Sequence, residues 1–396
     1  MLLSPQKILI IDDSKANILM LGEALSDYKC VAATKGENGI RIAKGIKKPD
    51  LILLDVVMPG IDGYEVCRRL KADEETKNIP IIFLSAATDS NSLVKGFSSG
   101  GVDFITKPFN FEELRIRVST QLRLKKSLDD NTRYLKSIEE IYSTITDSIF
   151  YAQRIQEASL PSNLHLKETL GEDFFIVYKP RDIVSGDFYI THRTEDKTII
   201  VAADCTGHGV PGALMSMLGM VFFREAIRFE NLTTPSVILD RVRNAIINTL
   251  ANNTENEVQD GMDASVVCIN HSENTMEFAG ANLPVYIIRN GELIEYKGDR
   301  IPVGPYPQIR PYTNHLINIT NNDLIYQFSD GYADQFGGSF NKKLMAKRFK
   351  EILLEHHKLK MERQKYKLEE AFSKWRGLYD QIDDVLVMGY KFNAQP

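Results

Sequence analysis

The chain has 396 residues, and its 43% hydrophobic and 26% charged content is that of a globular protein with room for two domains and a connector. The 48 Lys and Arg against 53 Asp and Glu give a formal net charge of −5, which argues against nucleic-acid binding because that needs a basic surface. Four widely spaced cysteines without a CxxC motif are typical of a reduced, cytoplasmic protein. We expect no signal peptide and no membrane segment, since acids follow the N-terminus closely and the apolar stretch ending at Phe223 is short.

Residues 1–122 alternate apolar runs with helical patterns, which predicts a doubly wound α/β domain with a five-stranded parallel sheet. The runs end on polar residues, and the carboxyl ends of parallel strands meet at one edge of such a sheet. The predicted strands are 7–11, 30–34, 51–56, 79–86 and 102–108, and helices are predicted over 15–26, 37–47, 63–72 and 91–99.

Polar residues at these strand ends predict a phosphoryl site. Asp12, Asp13 and Asp55 should converge, and three neighbouring carboxylates need a cation, for which oxygen ligands favour Mg²⁺. Lys107 is placed to pair with a free or phosphorylated carboxylate, and Ser85 to hydrogen-bond a phosphoryl oxygen. A single aspartate here is more often a turn or cap residue, but five such positions in order favour a site.

Four strings carry these positions: IDDSKAN (11–17), LLDVVMPGIDGYEVCRRL (53–70), FLSA (83–86) and DFITKPF (103–109). They resemble the receiver domain of response regulators. The resemblance implies that Asp55 accepts a phosphoryl group from a histidine kinase or phosphotransfer protein. It also implies a set of supporting residues, in which Mg²⁺ is held by Asp12, Asp13, Asp55 and the Val57 carbonyl, and the switch residues are Ser85, Phe104 and Lys107. Phe104 stands where this family often has Tyr.

An apolar stripe at three- and four-residue spacing follows and predicts a helical linker over 123–160, ended by Pro161. Its members are Leu128, Leu135, Ile138, Tyr142, Ile145, Ile149 and Ala152. We favour an intermolecular coiled coil that makes the protein a homodimer, since no Pro or Gly interrupts the region. A helix packed on its own domain is the alternative.

Residues 161–396 are β-rich, with two long apolar helices over 211–228 and 234–251, and predict an α+β domain. Aspartates border its strands beside glycines, namely Asp187 in DIVSGDFY, Asp204 before CTGHG, Asp330 before GY, and Asp383 with Asp384 before the last strand. Without Cys/His spacing for zinc, these acids predict a carboxylate site for two hard cations. Such a centre activates water and holds a phosphoryl group.

Six strings surround these acids: AQRIQEASLP (152–161), VSGDFY (184–189), AADCTGHGVPGALMSMLG (202–219), FAGANLPVYIIRNG (278–291), FSDGYADQ (328–335) and DDVLVMGYKF (383–392). They resemble the metal-dependent type 2C (PPM) serine/threonine phosphatases, and within them the SpoIIE-like branch. The resemblance implies a two-sheet β-sandwich flanked by helices, with water between two Mn²⁺ or Mg²⁺ ions attacking phosphoserine or phosphothreonine. The implied ligands are Asp187, Asp204, the Cys205 carbonyl, Asp330 and Asp383.

Four accessory positions carry open interpretations. Asp263 is a further metal ligand or, as favoured, a turn residue, and Asp384 is an accessory acid beside Asp383. His208 is an acid for the leaving alkoxide or, as favoured, a loop residue that fixes the turn before the helix. Arg181 is the arginine we consider for the substrate phosphate.

The insertion 341–376 is rich in basic residues, which raises the question of nucleic acid. Its glutamates and regular apolar spacing fit an amphipathic helical pair with a solvated charged face better. We therefore predict neither a nucleic-acid nor a membrane partner.

The sequence thus predicts a cytoplasmic signalling phosphatase in which phosphorylation of Asp55 controls the second domain through the linker. The resemblance alone implies the substrate, a phosphorylated Ser or Thr on a regulatory protein such as a STAS-type anti-sigma-factor antagonist in a partner-switching pathway. The alternative is a catalytically silent, phosphorylation-gated module that sequesters its partner. The presence of every expected metal carboxylate favours the enzyme.

Overall fold

The computed structural model describes residues 6–86, 90–251, 260–308 and 310–393. The chain divides into two compact units, Met1–Tyr142 and Ser143–Pro396. The first unit contains β1 (Lys7–Ile11), α1 (Lys15–Ala24), β2 (Lys29–Ala33), α2 (Gly36–Ala43), β3 (Leu51–Asp55), α3 (Gly63–Lys71), β4 (Ile81–Ser85), α4 (Ser90–Ser98), β5 (Asp103–Thr106) and the start of α5 (Phe111–Ser159).

The five strands of the first unit form one parallel sheet in the order β2-β1-β3-β4-β5. The apolar runs predict this arrangement, because strands covered by helices on both faces are apolar throughout; all five residues of β3 are buried. Helix starts follow from capping: Ser14 accepts a hydrogen bond from the Asn17 N–H, and Asp62 from the Glu65 N–H. The predicted parallel five-stranded sheet is confirmed.

Helix α5 is a single helix of 49 residues, which begins at Phe111 rather than near residue 124. The exposed fractions of Leu128, Leu135 and Ile145 are 59%, 59% and 54%, so the apolar stripe is uncovered within the chain. This exposure disfavours the alternative of a helix packed on its own domain, and a partner for the stripe stays a prediction.

The second unit is built from antiparallel strands and helices. Its strands are β6 (Phe174–Lys179), β7 (Phe188–Arg193), β8 (Lys197–Cys205), β9 (Met262–Asn270), β10 (Thr275–Ala281), β11 (Val285–Arg289), β12 (Glu292–Tyr296), β13 (His315–Asn318), β14 (Leu324–Phe328), β15 (Phe336–Gly337), β16 (Lys342–Lys343) and β17 (Val385–Lys391). Its helices are α6 (Asn163–Leu170), α7 (Gly209–Arg224), α8 (Pro235–Ala251), α9 (Gly331–Asp334), α10 (Met345–His356) and α11 (Met361–Arg376).

Two five-stranded sheets organise this unit, β13-β10-β9-β8-β7 and β12-β11-β14-β17-β6. One apolar core joins the two sheets face to face, with Ile200 and Val267 from the first against Ile325 and Leu386 from the second. A second core lies between the first sheet and helices α7 and α8, and a third between the second sheet and helices α10 and α11. The insertion 341–376 is therefore an amphipathic helical pair that covers a sheet, as predicted.

Helix α7 continues through a π-helical turn, Glu225–Phe229, so the helical segment predicted over 211–228 is helical, with its last turn π-helical. Among the described residues, the resulting helix Gly209–Phe229 is the one that is long and apolar enough to cross a membrane by length and composition alone, and half of it is buried. Met220 and Phe223 lie fully buried in the core against the first sheet. We therefore assign this helix to the core of the unit.

Candidate phosphorylation and metal sites

The first site is an acidic trio at the carboxyl edge of the parallel sheet. Asp12 and Asp13 follow β1, and Asp55 is the last residue of the neighbouring strand β3. One oxygen from each of the three carboxylates lies within 4.8 Å of the others. Asp12 and Asp55 are buried and Asp13 is exposed. The geometry suits one hard cation that is open to solvent on one side.

Lys107 forms ion pairs with two of these three carboxylates. Its Nζ lies 3.0 Å from Asp12 Oδ2 and 2.9 Å from Asp55 Oδ2. Asp12 also accepts two hydrogen bonds from the Asn17 amide, at 3.1 and 2.9 Å. Burial raises the pKa of Asp55 and the Asp12 charge adds to the rise, whereas Lys107 and the Val57 N–H act in the opposite direction. Asp55 is thus a buried carboxylate that a single lysine holds in place.

The remaining receiver residues surround Asp55. Ser85 ends β4 and is buried, and its carbonyl accepts a hydrogen bond from the Lys107 N–H. Phe104 is buried and stacks on Phe83, with ring centroids 5.3 Å apart. Val57, two residues after Asp55, is exposed. Asn17 is a contact that the sequence analysis did not single out, although it lies in the string IDDSKAN.

The second site lies where acids from both sheets of the second unit meet. Strand β7 pairs Phe188 with Ala203, and the next step of that antiparallel register sets Asp187 opposite Asp204. Strand β8 then pairs Asp204 with Asp263 of β9. In the second sheet, Asp330 lies two residues after the end of β14, and Asp383 lies two residues before β17, its hydrogen-bonded neighbour. The topology therefore brings the four predicted metal ligands to one end of the paired sheets.

Asp187 is the most enclosed of these acids. Its side chain is fully buried, its Oδ2 accepts a 2.6 Å hydrogen bond from Ser329 Oγ, and its Oδ1 has no hydrogen-bond partner among the described residues. Burial raises the pKa of Asp187 well above its ordinary value, the Ser329 hydrogen bond opposes the rise, and repulsion from nearby acids adds to it. A buried carboxylate oxygen without a partner is costly, and a cation relieves that cost.

The other three ligands repel one another. Burial raises the pKa of Asp204 well above its ordinary value, and the charges of Asp187, Asp330 and Asp383 raise it further. Burial raises the pKa of Asp330 to about 6, with further repulsion from Asp334 and Asp383. Carboxylates that oppose one another's ionisation in this way are arranged for a shared positive charge.

Glycines allow the acid-bearing loops to approach this closely. A Cβ on Gly186 would lie 2.8 Å from the Gly207 carbonyl oxygen and 3.3 Å from the Cys205 carbonyl oxygen. A Cβ on Gly331 would overlap the Asp384 carbonyl oxygen. Side chains at these positions would push the loops apart, so the dipeptides GD and DG serve the packing of the site as well as its charge.

The residues fit divalent cations by their chemistry. The donor set consists of carboxylates and a backbone carbonyl, which Mg²⁺ and Mn²⁺ prefer, and one buried carboxylate oxygen is left without a partner. In the ranges that the structure describes, the receiver acids are the one trio whose ligand atoms all lie within 4.8 Å of one another. Among the described residues, no three acids of the second site have ligand atoms this close to one another.

The accessory residues have distinct places. Asp384 accepts backbone hydrogen bonds from Arg181 at 2.7 Å and from Gly186 at 2.6 Å, so it holds the loop that carries Asp187. Asp263 lies within strand β9, so the favoured prediction of a turn residue is wrong, and it accepts a 2.7 Å hydrogen bond from the Asn282 amide. His208 Nδ1 lies 2.8 Å from Asp182 Oδ2, a pairing that fits the favoured interpretation of a loop-fixing residue. The Arg181 side chain is exposed.

Sequence reasoning missed Gln156, near the end of α5. Its amide N donates to the Ser185 carbonyl at 2.6 Å and to Ser216 Oγ at 2.8 Å, and its Oε1 accepts from the Ser185 N–H at 3.0 Å. Ser185 Oγ in turn accepts from the Asp187 N–H. In the structure, Gln156 stands out because it is buried in a part of α5 whose other side chains are mostly exposed. The sequence alone does not show which glutamines of a helix are buried.

Comparisons with known proteins agree with this geometry. The family model of the response regulator receiver domain matches residues 8–119, and that of stage II sporulation protein E (SpoIIE) matches residues 194–393, half of the chain. Among solved structures, the SiaA-PP2C domain of Pseudomonas aeruginosa is 33% identical, with a TM-score of 0.59. The similarity covers 64% of this chain and 99% of that one.

Two sequence relatives are similar over shorter stretches. The DNA-binding dual master transcriptional regulator RpaA of Synechocystis sp. is 34% identical over 148 residues, which is 37% of this chain and 61% of the relative. The response regulator PleD of Caulobacter vibrioides is 38% identical over 126 residues, which is 31% of this chain and 28% of the relative. The chain thus spans less than two thirds of the length of either relative.

Proposed function

Because the chain belongs to the SpoIIE family and also carries a response regulator receiver domain, we propose that it is a response regulator whose output is the metal-dependent dephosphorylation of a protein. The substrate is phosphoserine or phosphothreonine on a regulatory protein, of which a STAS-type anti-sigma-factor antagonist in a partner-switching pathway is our candidate. The observation that carries the proposal is the buried, partnerless Oδ1 of Asp187 among repelling carboxylates. We place the protein in the cytoplasm.

Two Mn²⁺ or Mg²⁺ ions would be held by the carboxylates of Asp187, Asp204, Asp330 and Asp383 together with the Cys205 carbonyl. When bound, they supply Lewis-acid activation of water and charge neutralisation for the phosphoryl group. The protein's own residues set the geometry: Ser329 orients Asp187 with a 2.6 Å hydrogen bond, and Asp384 fixes the loop that precedes it. Such outer contacts keep the ligands in place before substrate binds.

In the receiver domain, Asp55 would accept the phosphoryl group on a carboxylate oxygen, and the donor is a histidine kinase or phosphotransfer protein. Asp12, Asp13 and the Val57 carbonyl join Asp55 as ligands of Mg²⁺. Lys107 already contacts Asp55 at 2.9 Å and would pair with the phosphoryl group, while Ser85 hydrogen-bonds it. Phe104 would then repack as the switch residue.

Control of the phosphatase is proposed to run through α5. Gln156 near its end holds the Ser185 backbone, and Ser185 holds the backbone of the metal ligand Asp187. A shift of this helix end therefore moves a ligand of the metal site. Control requires that α5 have two positions and that phosphorylation of Asp55 stabilise one of them more than the other. A modification that stabilises both positions equally would not change their populations.

The exposed stripe of α5 is our candidate for the homodimer contact. Replacing Leu135 and Ile145 with glutamate buries charge in such a contact, so we expect the molar mass to fall from a dimer to a monomer by light scattering. The matched control replaces exposed Lys136 and Glu140 on the same helix, which should leave the mass unchanged. A double-glutamate variant that keeps the wild-type mass contradicts dimerisation through this stripe.

The experiment that tests the activity is hydrolysis of p-nitrophenyl phosphate and of phosphoserine proteins with Mn²⁺ or Mg²⁺. We expect Asp204→Asn and Asp330→Asn each to lower kcat by roughly a thousandfold or more, because each removes a metal ligand's charge. Asp196→Asn is the control, since that acid lies in a turn between β7 and β8. Activity that survives both substitutions contradicts the two-metal site, and a wild type that binds a partner tightly without turnover indicates the silent module.

A further inference from the structure

A buried glutamine, Gln335, lies between the two segments that carry the metal ligands of the second sheet. It directly follows helix α9, which begins at Gly331, the residue after Asp330. Gln335 is fully buried. A buried amide is costly unless its polar atoms have hydrogen-bond partners, so the partners of Gln335 show which parts of the chain it holds together.

The side-chain amide of Gln335 binds the segment that precedes Asp383. Its Nε2 donates to the Asp380 carbonyl at 2.9 Å and to the Phe336 carbonyl at 2.8 Å, and its Oε1 accepts from the Ile382 N–H at 3.3 Å. The amide therefore bonds to its own segment and to the segment before Asp383. Because Ile382 directly precedes Asp383, these bonds fix the backbone that carries a proposed metal ligand.

A second glutamine, Gln381, holds the same segment. Its Nε2 donates to the Asp383 carbonyl at 2.8 Å and to the Lys179 carbonyl at 2.7 Å. None of the residues 380–384 belongs to a helix or strand. Two glutamine side chains therefore hold in place a stretch of backbone that has no regular secondary structure.

The segments that carry Asp330 and Asp383 lie in close contact. A Cβ on Gly331 would lie 3.3 Å from Asp383 Cβ. Helix α9, a single turn, joins Asp330 to Gln335. A displacement of residues 380–383 relative to α9 would therefore change the separation of the two carboxylates, and the amide of Gln335 opposes that displacement.

The end of α11 is joined to the same glutamine. The indole N–H of Trp375, the one tryptophan of the chain, donates to the Gln335 carbonyl at 3.1 Å. The Gly338 N–H donates to the Trp375 carbonyl at 2.8 Å, and a Cβ on Gly337 would overlap that carbonyl oxygen. Trp375 thus packs on the segment around Gln335, so its fluorescence emission is a probe of that segment.

We propose that Gln335 is a positioning residue of the phosphatase metal site, which holds Asp383 beside Asp330 before the cations bind; this inference rests on the proposed function. Ligands that are already in place lose less conformational freedom when an ion binds, so the ion binds more tightly. Partners that orient metal ligands commonly change metal affinity by about tenfold to a hundredfold.

Gln364 provides a matched control within the same unit. It is buried as well, its Nε2 donates to the carbonyls of His357 and Leu359, and its Oε1 accepts from the Tyr326 hydroxyl. None of these partners is adjacent in sequence to a proposed metal ligand. Gln335→Met and Gln364→Met therefore remove the same kind of hydrogen bonds, but only the first removes bonds to the segment that carries Asp383.

The test measures metal affinity separately from stability and turnover. Mn²⁺ is titrated by calorimetry into the metal-free whole chain, and the emission of Trp375 is followed in a parallel titration with Mg²⁺. We expect Gln335→Met to weaken Mn²⁺ binding by about tenfold to a hundredfold and to shift the change in emission to higher Mg²⁺ by the same factor. Gln364→Met should lower the Tm but bind both ions as the wild type does. The receiver site is identical in all these proteins, so any difference arises in the second domain.

A second variant keeps the test decisive if Gln335→Met does not fold. Gln381 is only partly buried, so Gln381→Ala is a milder change that removes the other amide on the same segment. We expect it to weaken Mn²⁺ binding as well. Support also requires that saturating Mn²⁺ restore the kcat of a folded positioning variant for p-nitrophenyl phosphate close to the wild-type value, because its metal ligands are intact.

The outcomes separate this proposal from the proposed function. Wild-type Mn²⁺ affinity in Gln335→Met and Gln381→Ala, an equal loss in Gln364→Met, or a wild-type Trp375 emission that Mg²⁺ leaves unchanged overturns the positioning role. A wild type whose Mn²⁺ affinity depends on Gln335 but which hydrolyses no phosphomonoester upholds the positioning role and overturns the phosphatase.

Discussion

The two acidic sites of this protein use the same residue type but neutralise it differently. In the receiver domain, Lys107 lies within 3.0 Å of both Asp12 and Asp55. In the phosphatase domain, no Lys, Arg or His of the described ranges forms an ion pair with the four proposed metal ligands, which are Asp187, Asp204, Asp330 and Asp383. A site with its own cation can stay charged while a phosphoryl group comes and goes. A site without one depends on metal ions.

The pKa shifts of the acids also differ between the receiver site and the phosphatase site. Burial raises the pKa of Asp55, but the Lys107 hydrogen bond and charge oppose the rise. Burial raises the pKa of Asp204 well above its ordinary value, and the charges of Asp187, Asp330 and Asp383 raise it further. Asp187, Asp204 and Asp330, whose pKa values are all raised, therefore hold protons more tightly than free aspartates until a cation replaces those protons.

The largest expected effect is the loss of covalent phosphorylation at the receiver site, while the phosphatase site keeps its activity. Asp55→Asn should abolish phosphorylation by acetyl phosphate, because an amide oxygen cannot form the acyl phosphate, while hydrolysis of p-nitrophenyl phosphate persists. Phosphate incorporation measured by intact-protein mass spectrometry checks this, with exposed Asp27→Asn as the matched control. Labelling retained at another residue of the Asp55→Asn variant contradicts the assignment.

A smaller effect concerns pH and the metal site. Asp330 has a pKa raised to about 6, so the proton competes with Mn²⁺ below that pH, and Mn²⁺ affinity should be about tenfold or more weaker at pH 5 than at pH 7. The stability of the metal-free protein has the opposite trend. A raised carboxyl pKa means that the folded state binds the proton more tightly. Its contribution is therefore present at low pH and is lost as the pH rises through about 6.

Thermal unfolding with and without Mn²⁺ checks both halves of that prediction. We expect the rise in Tm caused by Mn²⁺ to be larger at pH 7 than at pH 5, and Asp330→Asn to reduce this difference. Asp196→Asn is the control, since that acid lies in the turn between β7 and β8 and belongs to neither site. A rise in Tm that does not depend on pH contradicts the idea that the phosphatase acids need an external cation.

Much of both sites was predictable because the relevant signal is local. Asp12 and Asp55 lie at the ends of apolar strands, and in the second domain Asp204 is the last but one residue of β8 and Asp330 follows β14 by two residues, so strand periodicity places them at the ends of their sheets. Parallel order in the receiver followed from strands that are apolar on both faces. The sequence positions of the acids and the physical rule for strand ends place the acids, and the roles of these residues stay predictions.

The supporting residues of the second site could not be predicted, because they depend on contacts between residues distant in sequence. Such contacts leave no periodic pattern in the sequence. Asp384 looks like a neighbour of the ligand Asp383, yet its two oxygens hold the Arg181 and Gly186 backbones. Gln156 looks like one polar residue in a long exposed helix, yet it is buried against Ser185. The start of α5 at Phe111 was also missed, because receiver helix and linker share one uninterrupted pattern.

The most direct test of the account is the rate of phosphoserine-protein hydrolysis, with Mn²⁺ or Mg²⁺, before and after the receiver domain is phosphorylated. We predict metal-dependent turnover whose rate changes on phosphorylation of the wild type and stays constant when Asp55→Asn is treated identically. The absence of metal-dependent turnover from the wild type, or an equal change of rate in both proteins, would contradict a phosphatase controlled through Asp55.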